Sequence, residues 1–293
     1  MAQAQTYTQQ GQLPAYIPLL AQANPAWLGV QVQCENGQIY ACGAVNRGFP
    51  LMSAIKPFVL LYLLEQLGSS AVFERVGMEP SDQPFNSLTQ LEADQGWPRN
   101  PLLNSGAIVL ASLLPEKDGP SRSDGLRQWL NTHAGCSLAL NELMLASVRT
   151  AGGERNWALA RLLARFGHLE RAETAIDTYN HVCCLSGTVA DLARLGGLLA
   201  HPREPIKLQH RRTVNAIMTT CGLYQASGSF AVQVGLPTKS GVSGALLSVV
   251  PNQGAIACYG PALDPAGNSL AGLFLLRQIA QALDLSIFGQ PRL

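Results

Sequence analysis

Phe49-Pro50-Leu51-Met52-Ser53-Ala54-Ile55-Lys56-Pro57-Phe58-Val59-Leu60-Leu61-Tyr62-Leu63-Leu64 is the stretch on which the fold turns. Ile55, Phe58, Val59, Leu60, Leu61, Leu63 and Leu64 cover nearly all faces of a helix, so this helix is expected to be buried. Pro57 has no N–H to donate and is harmless only in the first turn, where amides lack helical partners anyway. Ser53 is therefore expected at or next to the helix N-terminus, where free amides and the positive dipole end favour an oxyanion. Gly68 is the expected stop. Residues three apart share a helix face, so the Lys56 amine can reach the Ser53 hydroxyl. A neutral lysine can take the serine proton, and burial lowers a lysine pKa enough for that.

Near the other end stands Lys239-Ser240-Gly241. Ser-x-x-Lys early and Lys-Ser/Thr-Gly late is the pattern of serine acyl-transfer enzymes of the penicillin-recognising type. With four lysines and nineteen serines in 293 residues, chance supplies about a quarter of one Ser-x-x-Lys. The order and separation of the two motifs therefore weigh more than either alone. A plainer reading keeps Lys56 as a solvated helix lysine, Lys239 as a strand-end lysine and Ser53 as a cap, and it expects the same helix geometry.

The length allows a large core, in one domain or two closely packed lobes. Hydrophobic residues make up 47% and charged residues 13%, a well-buried composition. A net charge of +1 without a basic run argues against a nucleic-acid surface. The longest apolar run, Phe58 to Leu64, is too short to cross a membrane. The N-terminus shows no signal-peptide pattern, and seven dispersed cysteines fit reduced thiols, so a cytoplasmic protein is expected. Adjacent Cys183 and Cys184 read as buried small hydrophobes, since no further ligands follow at metal spacing. No metal or organic cofactor is expected.

Leu28–Cys34 and Ile39–Cys42, separated by an Asn36-Gly37 turn, read as a β-hairpin. Gly235–Gly241, Ala245–Val250 and Ala255–Tyr259 read as three more strands. Pro14–Ala23 and Leu270–Leu283 read as opening and closing helices. The chain from about 53 to 222 reads as helical throughout, with Phe58–Leu67, Leu103–Leu114, Gly125–His133, Asn156–Phe166, Leu169–Tyr179 and Thr188–Leu199. The expected fold is α/β of the α+β type: a five-stranded antiparallel sheet built from both chain ends and flanked by helices. Residues 1–60 and 223–293 would form a sheet lobe, and 61–222 a mainly helical lobe, within one domain spanning 1–293.

Several blocks resemble the serine-dependent glutaminases of bacteria and mitochondria, which share the serine β-lactamase-like fold. They are Phe49–Lys56, Asn100–Ile108, Arg155–Ala160, Met218–Gly228, Gly235–Val242 and Leu263–Ser269, within a match from about 24 to 285. The resemblance implies Ser53 as nucleophile, Lys56 as its base or proton relay and Tyr179 beside the serine as a proton-transfer aid. It implies that Asn104 and Asn156 bind the substrate, that Tyr224 lines the pocket, and that the Val242 and Ser53 amides form the oxyanion hole. Lys239, Ser240 and Gly241 would support them. Other readings stay open: Asn104 as a helix cap, Tyr179 as a core aromatic, Gly241 as a turn residue. Asp191, similar to a family position, reads as a structural cap or ion pair.

The departures fall around the pocket. The family has a Ser-Glu pair with the glutamate seven residues before the asparagine equivalent to Asn156; here that position is Arg149, or Val148 if Ser147 is aligned with the family serine. That glutamate would pair the substrate ammonium. Glu154, after Gly152-Gly153, is the candidate substitute. Met52 and Cys183-Cys184 replace the family's Gln and Cys-Ser, and Ile55 and Ala44 replace further polar positions. The expected function is hydrolysis of L-glutamine by water to L-glutamate and ammonia, by a homo-oligomer. Its rivals are a same-fold amidohydrolase with a shifted amide or ester substrate, and a non-catalytic binding protein. A β-lactamase-type enzyme is disfavoured for want of an export signal.

Overall fold

The computed structural model describes residues 1–151 and 153–289. Its main sheet contains β1 (Gly29–Cys34), β2 (Ile39–Gly43), β6 (Thr238–Ser240), β7 (Ala245–Val250) and β8 (Gly254–Tyr259) in the order β2-β1-β8-β7-β6. Every neighbouring pair is antiparallel. The expected five-stranded sheet is present, with strands from both chain ends.

All residues of β7 and β8 are buried, because helices cover both sheet faces. Leu246, Ile256 and Cys258 pack with Leu273 and Leu276 of the Leu270–Ala282 helix. Leu247, Ala255 and Ala257 pack with Leu192, Leu195 and Leu199 of the Val189–Ala200 helix. The second helix comes close because Gly196 has no side chain: a Cβ there would lie 2.4 Å from the Ala255 methyl.

The Lys56–Phe73 helix is the central element of the larger core. A four-residue 3₁₀ turn, Met52–Ile55, leads into it, with Pro57 in its first turn. Residues 54 to 64 are all buried. Gly68 (φ 81°) breaks the helix as expected, but the chain resumes helical form to Phe73.

A second sheet was not legible in the sequence. β3 (Phe49–Pro50) and β4 (Ala139–Leu140) flank β5 (Leu185–Gly187). Such short strands carry no periodicity. β3 runs directly into the Ser53 turn, and β5 directly follows the Ala172–Cys183 helix that carries Tyr179, so this sheet ties the two together.

Other differences have local causes. The opening helix at Pro14–Ala23 is absent: Pro18 interrupts it, and only the 3₁₀ turn Leu20–Gln22 forms, preceded by a short helix Ala2–Tyr7. The strand expected at Gly235–Gly241 is confined to Thr238–Ser240. The Leu208–Cys221 helix was missed because its buried face includes His210 and Arg211, which break the apolar pattern. His210 is held by Glu65, at 2.8 Å.

Asp191 is the structural cap expected. Its Oδ2 accepts from the Thr188 amide (2.9 Å) and hydroxyl (2.7 Å), and its Oδ1 accepts from the Ser137 amide (2.9 Å). Thr188 answers through its hydroxyl to the Asp191 amide, completing a capping box. Burial raises the carboxyl pKa, but these hydrogen bonds outweigh it and hold it below the usual range. Asp191→Ala should lower stability by about 1–3 kcal/mol, because it strands these donors. Urea denaturation checks this; an unchanged midpoint would show that the box contributes nothing.

Candidate active site

The site forms where the Ser53 turn meets the β6 edge and the Tyr179 helix. Ser53 is buried at the head of the central helix. Met52, just before it, has φ 46°, a left-handed conformation that non-glycine residues seldom adopt. β6 runs out into Gly241, whose absent side chain is required: a Cβ would lie 2.5 Å from the Leu51 carbonyl oxygen and 3.4 Å from the Ser53 amide nitrogen. The Ser53 and Val242 amides donate to no acceptor in the protein among the described residues. The strand end and the helix start thus present two free amides side by side.

Lys56 is buried one turn from Ser53. Its ammonium donates to the Leu102 carbonyl (3.1 Å) and to Asn104 Oδ1 (2.8 Å), both uncharged. Burial lowers its pKa from 10.5 to about 8, against a small opposing effect of Cys183. The solvated-lysine reading therefore fails. Asn104 opens the Asn104–Leu113 helix but does not cap it, since its side chain points at Lys56. Asn104 Nδ2 donates to Asn156 Oδ1 at 2.8 Å, so the two asparagines and the lysine form one chain. Asn156 Nδ2 remains without a protein partner among the described residues.

Lys239 is fully buried on β6, donating to the carbonyls of Gly222 (3.0 Å) and Ser240 (2.6 Å), 4.7 Å from the Tyr224 ring. Burial, then the charge of Lys56, push its pKa well below the ordinary value. Ser240 donates to Asn268 Oδ1 at 2.7 Å.

The two tyrosines divide the space. The Tyr224 hydroxyl is buried beside the Ser53 and Ser240 side chains, yet makes no hydrogen bond of good geometry. Burial pushes its pKa up to about 12. Tyr224 itself has φ 57°, a second left-handed residue at the site. Tyr179 stands against Lys56, its ring 5.7 Å from the amine, with its hydroxyl beside Cys183. It is thus Tyr224 whose hydroxyl adjoins the serine, while Tyr179 adjoins the lysine. Cys183 and Cys184 are buried, as expected, and burial raises both thiol pKa values. Among the described residues no group of His, Cys, Asp or Glu could hold a metal ion.

Two further residues were missed. Phe85 stacks on Tyr224 with ring centroids 4.8 Å apart. Tyr16 is 58% exposed, yet its hydroxyl is electrostatically coupled to Tyr224 and Tyr179, as befits a side chain in the mouth of a cleft. Pro14 and Pro18 around it were the available sign that this segment is a loop.

Arg149 and Val148 line a cavity of about 230 Å³ that Asn156, Trp157, Ile176 and Asp177 also border. Arg149 there pairs with Asp177 at 2.6 Å. Glu154 is exposed in the first turn of the Glu154–Arg165 helix and lies outside this cavity; Gly152 of the expected Gly152-Gly153 turn lies outside the described residues.

This fold and site place the chain among hydrolases that cleave linear amides. The glutaminase family model matches residues 11–288. A glutaminase of Synechocystis sp. is 42% identical over 92% of this chain and 84% of its own. One of Methylobacterium nodulans is 40% identical over 96% and 93%. Among solved structures, the probable glutaminase YbaS superposes with a TM-score of 0.91 at 32% identity, covering 99% of both chains. A Bacillus subtilis probable glutaminase complexed with 6-diazo-5-oxo-L-norleucine gives 0.89 at 32% identity over 98% and 94%. The chain belongs to the glutaminase family.

Gly241→Ala should separate the Val242 amide from Ser53, because the new methyl must displace the Leu51 carbonyl. The expected result is about 1–3 kcal/mol of destabilisation and a fall mainly in kcat. Full activity in Gly241→Ala protein would show that this close approach is dispensable.

Proposed function

We propose that the chain hydrolyses L-glutamine to L-glutamate and ammonia through an ester on Ser53, on a serine β-lactamase-like scaffold. The observation that carries this reading is Lys56: a buried lysine without a charged partner, one turn from a serine, facing two free amides. Neutral Lys56 takes the Ser53 proton as the hydroxyl oxygen attacks the side-chain amide carbon. The Ser53 and Val242 amides accept the developing oxyanion. The C–N bond breaks, the nitrogen receives the proton and ammonia leaves. Water then adds to the ester with the same lysine as base, releasing glutamate and restoring the Ser53 hydroxyl.

Tyr224, protonated at working pH, is suited to relay protons between Ser53 and the substrate nitrogen. Asn104 holds Lys56, and the free Nδ2 of Asn156 suits a substrate oxygen. Tyr179 fixes the environment of Lys56, and Lys239 with Ser240 steadies the strand end. Dispersed free cysteines support a reducing, cytoplasmic setting. No helix among the described residues is long and apolar enough to cross a membrane.

One observation favours a second reading, a shifted amide substrate. The position where the family carries its ammonium-pairing glutamate holds Arg149, already neutralised by Asp177. L-Glutamine should bind with a raised KM, on the order of 10² to 10³-fold weaker if the lost pair contributes about 3–4 kcal/mol. Glu154→Gln should change little. The check is kcat/KM for L-glutamine beside an N-acylated analogue; strong preference for free L-glutamine, lost in Glu154→Gln, would assign the role to Glu154.

The lysine also sets the pH profile. The base must be neutral, so kcat/KM should rise with pH through about 8, the pKa to which burial lowers Lys56. Ser53→Ala and Lys56→Ala should each lower kcat by roughly 10⁴-fold or more, and the double variant little further. Substantial ammonia release by Ser53→Ala protein would sink the nucleophile assignment.

A further inference from the structure

β2 lies at the outer edge of the main sheet, and all five of its residues are exposed. Ile39 and Tyr40 are 52% and 59% exposed, on opposite faces of the strand. The Val189–Ala200 helix covers β1 and β8 but leaves β2 bare. Exposed edges are usually blunted by a lysine, a proline or an inward charge. Ile39-Tyr40-Ala41-Cys42-Gly43 carries none of these.

The hairpin ladder fixes which edge groups are free. The Cys34 amide donates to the Gln38 carbonyl at 2.9 Å, so Cys34 and Gln38 form a hydrogen-bonded pair. Facing pairs Val32–Tyr40 and Val30–Cys42 share that phase, since hydrogen-bonded and non-bonded pairs alternate. The main-chain groups of Tyr40 and Cys42 are therefore used by β1. Those of Ile39, Ala41 and Gly43 point off the sheet.

We infer that this edge pairs with the same edge of a second copy of the chain, antiparallel about a two-fold axis at Ala41. Ala41 then faces the partner's Ala41, and Ile39 faces the partner's Gly43, with two main-chain hydrogen bonds per pair. Tyr40 faces the partner's Cys42, which buries apolar surface that one chain leaves in water. The same symmetry sets Glu35 toward the partner's Arg47. Both residues are exposed and oppositely charged, which favours a second copy over an unrelated strand. The two sheets become one continuous sheet.

The test is molar mass by light scattering over a concentration series, with ammonia release as a measure of folding. Ala41 is exposed and remote from the active site, so activity should not change on its substitution. Wild-type protein should carry an even number of chains. Ala41→Glu and Ala41→Lys place like charges across the axis, and each alone should halve that number. An equal mixture of the two should restore it, because opposite charges then meet. Ala41→Pro, which removes an amide hydrogen that β1 does not use, should also halve it. A wild-type monomer at all concentrations, or variants that keep the wild-type mass, would overturn the inference. So would charge variants that separate but are not restored by mixing.

Discussion

The ammonium of Lys56 is buried without a counter-ion. Its two hydrogen-bond partners, the Leu102 carbonyl and Asn104 Oδ1, offer dipoles and no charge. A charge held this way costs free energy, and the protein relieves the cost by lowering the pKa of the amine. The cost is tolerable only because the first turns of the helix are locked in the core between Phe49, Leu51 and the sheet. The placement of Ser53, the close approach of Gly241 and the role of Asn104 all follow from holding that amine still.

A second buried lysine sharpens the effect. Lys239 sits on the strand that faces the serine, and the charge of Lys56 helps to lower its pKa. Its hydrogen bonds go to the Gly222 and Ser240 carbonyls, so it braces the strand end and the turn before Tyr224. Three local strains or close contacts meet here: left-handed Met52, left-handed Tyr224, and Gly241 against Leu51. Such features persist only where surrounding packing over-determines them. Here the small second sheet supplies part of that packing, through the Leu51 amide donating to the Leu185 carbonyl at 2.8 Å.

The other end of the pocket is built differently. Arg149 and Asp177 neutralise each other beside Asn156, and both stay partly in water. An exposed pair of this kind contributes little stability. Its effect lies in what it presents to a ligand: a paired cation and anion where the family resemblance implies a lone carboxylate.

Sequence alone determined the parts that rest on local rules. Pro57 and the all-round apolar run fixed where the central helix begins and that it is buried, and so placed Ser53 and Lys56 together. The Asn36-Gly37 turn fixed the hairpin, and strong alternation marked β7 and β8. Tertiary structure decided the rest, because those features depend on partners distant in the chain. Met52 and Tyr224 carry no sequence mark of a left-handed backbone. The strands of the second sheet are too short to show a period. Only the folded chain brings Asn104 to Lys56 and the Tyr224 hydroxyl to Ser53, contacts that span 48 and 171 positions of sequence. A lysine's protonation likewise follows from what surrounds it, and in this chain that surrounding is assembled only by folding.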